Sequence, residues 1–159
     1  MEMMIYRHYG TDHFDPSMVL GPKAKQPGLS IKPCASFWAS PVNSERSWED
    51  WCKCNGFWTG DESRVDFELS PEAKIYRISS VEDWENLKDR FPGRLRSELE
   101  LRFADDSSHY ADPDWIAVAE VFDGIEVSIS SCPALYDAMY GYDVDSIAVW
   151  NPDVVVMQP

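Results

Sequence analysis

Basic residues are scarce in this chain: 14 Lys and Arg stand against 28 Asp and Glu, a formal net charge of −14. Surfaces that hold phosphate backbones gain affinity from clustered Lys and Arg, so nucleic acid is an unexpected partner. Histidine is scarcer still, with only His8, His13 and His109, too few for a His-rich metal centre. The cysteines, Cys34, Cys52, Cys54 and Cys132, include no Cys-x-x-Cys pair, and Cys52-x-Cys54 with a remote His109 lacks zinc spacing. They read as reduced structural thiols of a cytoplasmic protein. No apolar run approaches the ~20 residues that cross a bilayer. The opening MEMMIYRHYG has neither the basic start nor the apolar centre of a secretory signal. There is no Gly-x-Gly-x-x-Gly, no Gly-x-x-x-x-Gly-Lys-[Ser/Thr], no His-Glu-x-x-His and no Gly-x-Ser-x-Gly. These absences remove the Rossmann cofactor site, the phosphate-binding loop, the zinc protease and the α/β-hydrolase.

What is present is a chain of 159 residues, 44% hydrophobic and 13% aromatic, with seven Trp and seven Tyr. That length is about one domain, and that composition is globular. Aromatic residues in this number fill a core and, where they do not fit, line a groove. The acidic excess is dispersed along the chain; it favours solubility or attraction to a basic partner surface.

The segments alternate in kind. Met3–Tyr9 reads as a strand ending at the Gly10-Thr11-Asp12 turn, with Arg7 and His8 on opposite faces. Residues 17–34, rich in Pro, Gly and Lys, read as an ordered loop. A short strand, Ser36–Pro41, follows. Ser47 and Asp50 open a helix through Trp48, Trp51 and Cys52. Val65–Leu69 alternates as a half-buried strand and Ala73–Ile78 reads as its hairpin partner. Ser80 and Asp83 start a second helix, closed by Pro92-Gly93. Residues 94–103 read as helix and 105–112 as loop, with Asp112 capping a helix that Pro113 begins. The last third, Trp115 to Val156, runs helix, strand (Phe122–Val127), helical insert (Pro133–Gly141), strand (Ser146–Trp150), the turn Asn151-Pro152-Asp153 and a final strand. Few units resemble regular parallel crossovers, so the class is α+β.

Three groups of residues carry possible chemistry. Glu126 lies opposite Ile125 and Val127 on its strand, either an exposed carboxylate or one facing a cleft. Asp143 and Asp145 share a face; Asp143 after Gly141 suits a turn, while Asp145 borders the apolar strand directly. Arg7 and His8 can each hydrogen-bond a ligand, and Tyr9, Phe37, Trp38 and Ser40 offer stacking surface and a hydroxyl.

Taken in order, these segments resemble the ADP-ribosyltransferase fold of small bacterial toxins and phage-encoded effectors. The carriers are Ile5–Thr11, with a basic or imidazole residue before a Gly-Thr turn, and Phe37-Trp38-Ala39-Ser40-Pro41. Near the C-terminus they are Phe122-Asp123-Gly124-Ile125 and Ala148-Val149-Trp150-Asn151-Pro152-Asp153. The resemblance implies one domain over 1–159, two small packed antiparallel or mixed sheets with peripheral helices, and NAD bound between the sheets as substrate. It implies that Arg7 or His8 holds the adenosine-side ribose or a phosphate, that Tyr9 and Trp38 stack on the nicotinamide, and that Ser40 braces the site. The family's catalytic glutamate sits at the start of the last motif strand, where this chain has Asp145-Ser146; Glu126 lies one strand earlier. Glu126, or Asp145 in its place, is therefore expected at the ribose 2′-hydroxyl, facing the oxocarbenium-like charge that develops on glycosidic cleavage. The implied activity is mono-ADP-ribosylation of a protein target. Two alternatives stand beside it: an acidic, non-catalytic inhibitor on the same fold docking on a basic partner, and an enzyme that removes an RNA-end 2′-phosphate with NAD.

Overall fold

The structure, a computed structural model, describes residues 2–22, 32–57, 63–93 and 112–159. The helix expected over 94–103, most of the loop before Asp112, and His109 lie outside the described residues. Seven strands form one sheet: β1 (Tyr6–Tyr9), β2 (Phe37–Pro41), β3 (Arg64–Leu69), β4 (Ile75–Ile78), β5 (Gly124–Val127), β6 (Ser146–Val149) and β7 (Val155–Met157). Their spatial order is β4-β5-β6-β2-β1-β3-β7. Every neighbouring pair is antiparallel except β4 and β5, which run parallel. The class is α+β as expected, but one continuous mixed sheet replaces the two small sheets. The reason lies in β2. Phe37, Trp38 and Ala39 pair with β6, whereas Ser40 and Pro41 pair with β1. One strand thus changes partner midway and joins what would otherwise be two sheets.

The sheet curls. β1 and β5 stand three strand spacings apart in the order, ~14 Å along a flat sheet, yet the Tyr6 hydroxyl donates to Glu126 Oε2. Inside the curl lie Tyr6, Phe37, Ala39, Val65, Phe67, Ile147, Val149 and Val154, with the rings of Phe37 and Phe67 5.3 Å apart. The outer face of the β4-β5-β6 half is covered by helices α2 (Val81–Arg90), α3 (Trp115–Val121) and α4 (Pro133–Ala138). Trp84, Leu87, Trp115, Val118 and Leu135 from these helices pack against Ile78, Ile125, Val127 and Ala148. A further helix, α1 (Trp48–Cys54), starts with the expected capping box between Ser47 and Asp50.

Two local expectations are corrected. β3 and β4 are not a hairpin: both edges of β3 are taken, by β1 and β7, and β4 runs beside β5 instead. The turn between them connects opposite ends of the curled sheet. Asp114, not Asp112, caps α3, accepting from the amides of Ile116 and Ala117. Pro113 is held in an extended bridge with Pro92, which moves the first helical residue to Trp115.

The crossing of β5 and β6 is close enough to require glycine. A Cβ on Gly124 would sit 2.5 Å from the Ala148 carbonyl oxygen and 3.2 Å from Val149 Cα, both backbone atoms that yield little. Gly124→Ala should lower Tm by ~3–10 °C, the range that ~1–3 kcal/mol of overpacking produces at this chain length. An unchanged melting curve would show that β5 can shift there without loss.

Candidate functional site

The uncovered part of the outer face carries the chemistry. Side chains two apart on a strand share a face, so Arg7 and Tyr9 of β1 project together, as do Trp38 and Ser40 of β2. Arg7 and Ser40 are cross-strand partners. Ser146, at the start of β6, extends this surface. Against it stand Trp48 of α1 and the Gly141–Val144 segment that follows α4. The space enclosed is a cleft of about 360 Å³, bordered by Arg7, His8, Tyr9, Trp38, Ser40 and Trp48 on one side and Tyr142, Asp143 and Lys32 on the other.

Each wall is fixed by identifiable bonds. Arg7 makes a two-pronged pair with Asp66 of β3, Nε to Oδ1 at 2.7 Å and Nη2 to Oδ2 at 2.8 Å. This geometry combines charge and direction, and it holds the Asp66 carboxyl below its ordinary range while raising the Arg7 guanidinium. Tyr9 donates its hydroxyl to Glu49 Oε2 at 2.6 Å, and Lys53 Nζ donates to Oε1 of the same carboxylate at 2.7 Å. Burial, then the bond to Glu49, push the Tyr9 phenol up to about 12. Ser40 Oγ accepts from the Trp48 amide at 3.0 Å, tying the start of α1 to β2. Lys32 Nζ lies 5.7 Å from the Trp38 ring centre and 5.3 Å from that of Tyr142; those rings are 6.1 Å apart. Full burial holds the Tyr142 phenol well above its usual value. The ring of His8 lies on Phe37 at 4.3 Å and its Nδ1 is 2.5 Å from the Trp38 carbonyl oxygen.

The five residues expected to contact a cofactor, Arg7, His8, Tyr9, Trp38 and Ser40, therefore border a single cleft. The two expected catalytic carboxylates do not. Glu126 pairs in register with Ile147, an inner-core residue, and so projects inside the curl, 13% exposed. There it accepts from the Tyr6 hydroxyl and from Arg77 Nη1. Burial and Glu126 hold the Tyr6 phenol far above its usual value. Asp145, 6% exposed, accepts from Ser44 Oγ at 2.7 Å, the Ser130 amide at 2.9 Å and Ser130 Oγ at 2.5 Å. It staples three segments together and faces no open space. Alternation along β5 identified which way Glu126 points relative to Ile125; the curl, invisible to that pattern, decided what lies there. Lys32, Trp48, Tyr142 and Asp143 were missed as cleft residues. Asp143, read as a turn former, is the one carboxylate residue among the described residues of the lining.

Among the described residues no group of His, Cys, Asp and Glu side chains is placed to hold a metal ion, and no helix is long and apolar enough to cross a membrane. No protein-family model, curated protein or solved structure matches the chain.

Asp145→Asn replaces an acceptor with an amide that faces hydroxyl and amide donors. It should lower Tm by ~2–10 °C, the effect of ~1–3 kcal/mol from an unsatisfied buried group, without altering any ligand titration at the cleft. Tyr9 supplies a pH signature. Its folded value of about 12 exceeds the ordinary 10.0, so the neutral phenol contributes stability in full below pH 10, and that contribution is lost as pH rises through 12. Ultraviolet titration of wild type against Tyr9→Phe should show one tyrosine ionising near pH 12 that disappears in the variant; a difference centred near pH 10 would show that Tyr9 is neither buried nor bonded to Glu49.

Proposed function

We propose that the Trp38 cleft binds NAD and that the protein is a mono-ADP-ribosyltransferase acting on a protein target. The observation that carries the reading is the convergence of the Arg7, Tyr9, Trp38 and Ser40 side chains on one aromatic-walled cleft that His8 also borders, the His8 ring itself lying on Phe37 on the opposite face. Ligand sites typically occupy ~300–1,000 Å³, and about 360 Å³ is at the small end. It suits one nucleoside half of a dinucleotide, with the rest crossing the mouth. The nicotinamide half belongs against Trp38, which is partly exposed and offers flat apolar surface, with the buried Tyr142 ring behind it. Arg7, already paired with Asp66, positions that wall and adds little net charge. The carboxylate that would meet the developing ribose charge is Asp143, because Glu126 and Asp145 are engaged elsewhere. A fixed negative charge there is worth more as the oxocarbenium character grows.

A second reading, a non-catalytic acidic protein that docks on a basic partner, is favoured by one specific observation. Both carboxylates expected to do chemistry are consumed by structural bonds, while the chain as a whole carries −14.

Salt separates the two. NAD is anionic and approaches an acidic protein, so its affinity should hold steady or rise between low and moderate ionic strength, whereas binding to a basic surface should weaken steeply. Tryptophan fluorescence should report NAD saturation that Trp38→Ala or Trp38→Leu reduces at least tenfold. Labelled NAD with a cell lysate should transfer label, and Asp143→Asn should lower transfer ~100-fold or more, as loss of a transition-state charge does. Saturable NAD binding with no transfer and no NAD loss would reduce the proposal to binding alone. No NAD response in the fluorescence would end it.

A further inference from the structure

The cleft already contains a cation bound by rings. Lys32 Nζ sits within 6 Å of two aromatic centres, 5.7 Å from Trp38 and 5.3 Å from Tyr142, the range in which a ring's quadrupole attracts positive charge. Tyr9 and Trp48 add two further aromatic side chains to the same lining, and Asp143 adds a carboxylate. The other cation of the lining, Arg7, is matched by Asp66, so its charge does not oppose a positive ligand in full. The surrounding field is that of a chain with net charge −14, which draws cations in. Several aromatic walls with one carboxylate are the elements that recognise alkylammonium groups.

We infer that the Trp38–Tyr142 wall is a receptor for a cationic group of a ligand, of the alkylammonium or cationic heteroaromatic class, and that Lys32 occupies this place until the ligand displaces it. Lys32 is itself an exposed residue, so its side chain can leave without unpacking the core. The resident ammonium sets a threshold: a neutral ring or alkyl group of the same shape must displace Lys32 and gives back only contact area, whereas a cation restores the lost attraction. The inference rests on the cleft being a ligand site, as proposed above, but not on the ligand being NAD. Combined with that proposal, it favours the positively charged nicotinamide ring over its neutral reduced form.

The test uses choline and its uncharged carbon isostere, 3,3-dimethylbutan-1-ol, titrated against the full chain by tryptophan fluorescence and by ¹H NMR. Choline should bind roughly two- to thirty-fold more tightly than the isostere, the span that a cation–π contribution covers. Lys32→Ala should strengthen binding of both choline and the isostere severalfold, because either must displace the resident ammonium. Lys74→Ala, on the exposed turn between β3 and β4, removes the same charge elsewhere and should change neither. Equal binding of choline and isostere, or identical behaviour of Lys32→Ala and Lys74→Ala, overturns the inference. NAD titrated against the same samples keeps the two proposals apart. NAD binding without choline discrimination refutes the cation receptor alone, and choline discrimination without NAD binding refutes the NAD reading alone.

Discussion

The fold depends on a contact between two strands that are not neighbours. Tyr6 on β1 and Glu126 on β5 meet inside the sheet, with Arg77 of β4 closing on the same carboxylate. Only a strongly coiled sheet brings them together, and the coil in turn encloses Phe37, Phe67, Ile147 and Val149, with Val19 and Phe14 from the connection after β1 packed on the same cluster. A carboxylate in such a place is costly unless its oxygens are occupied. Here one oxygen has a phenol and the other a guanidinium. Residues that looked like chemistry in the linear sequence are thus a clasp: the Glu126 carboxylate is taken by Tyr6 and Arg77.

The position of the cleft follows from the same curl. The inner face is covered by the curl and by the connection carrying Phe14 and Val19, and α2, α3 and α4 all sit over the β4-β5-β6 half of the outer face. The β1-β2 part is left with α1, attached by polar links from the Trp48 amide to Ser40 and from the Tyr9 hydroxyl to Glu49. Two consequences meet there. The face is polar enough to stay solvated, with the Arg7–Asp66 and Tyr9–Glu49 pairs along it. It is also aromatic enough, through Trp38, Trp48 and Tyr142, to hold a flat or cationic group. A concave, partly apolar surface with fixed polar groups is what ligand sites generally require, and it arises here because the helices run out.

Much of this was legible in the chain. Period-two alternation placed Arg7 and His8 on opposite faces and aligned Ile125 with Val127, since the side-chain period of a strand is purely local. Ser47 and Ser80 announced their helices because a cap is made within four residues. The failures all concern long-range geometry. Nothing within Val65–Ile78 says that both edges of β3 are claimed by β1 and β7, one of them more than eighty residues later. Nor does any local pattern say that β2 divides its pairing between β1 and β6. For the same reason Glu126 lies away from the cleft: its face was read from alternation, and the curl turns that face inward, where it meets Tyr6 and Arg77. Cleft residues were found when they lay on strands whose alternation could be counted. They were missed when they lay on connections, as Lys32, Tyr142 and Asp143 do.

The strings that carried the family resemblance have a local physical explanation. Phe122-Asp123-Gly124-Ile125 and Trp150-Asn151-Pro152-Asp153 are far apart in sequence but form one corner. The Asp123 carbonyl accepts from the amides of Trp150 and Asn151, and the Asp123 carboxylate takes the Asn151 side-chain amide at 2.9 Å and the Lys74 amide at 2.8 Å. Trp150 Nε1 reaches the Phe122 carbonyl at 2.6 Å, and Asn151 Oδ1 caps the next turn through the Asp153 amide. Gly124 permits the backbone approach that this corner needs. An Asp-Gly before one strand and an Asn-Pro after its antiparallel neighbour are thus what any such corner selects, because they satisfy its amides and allow its contact distance. Strings of this kind are explained by the corner they build in this chain, whatever chemistry lies nearby. In the cleft, Trp38 and Tyr142 meet as part of the outer core, and Lys32 Nζ lies within 6 Å of both ring centres.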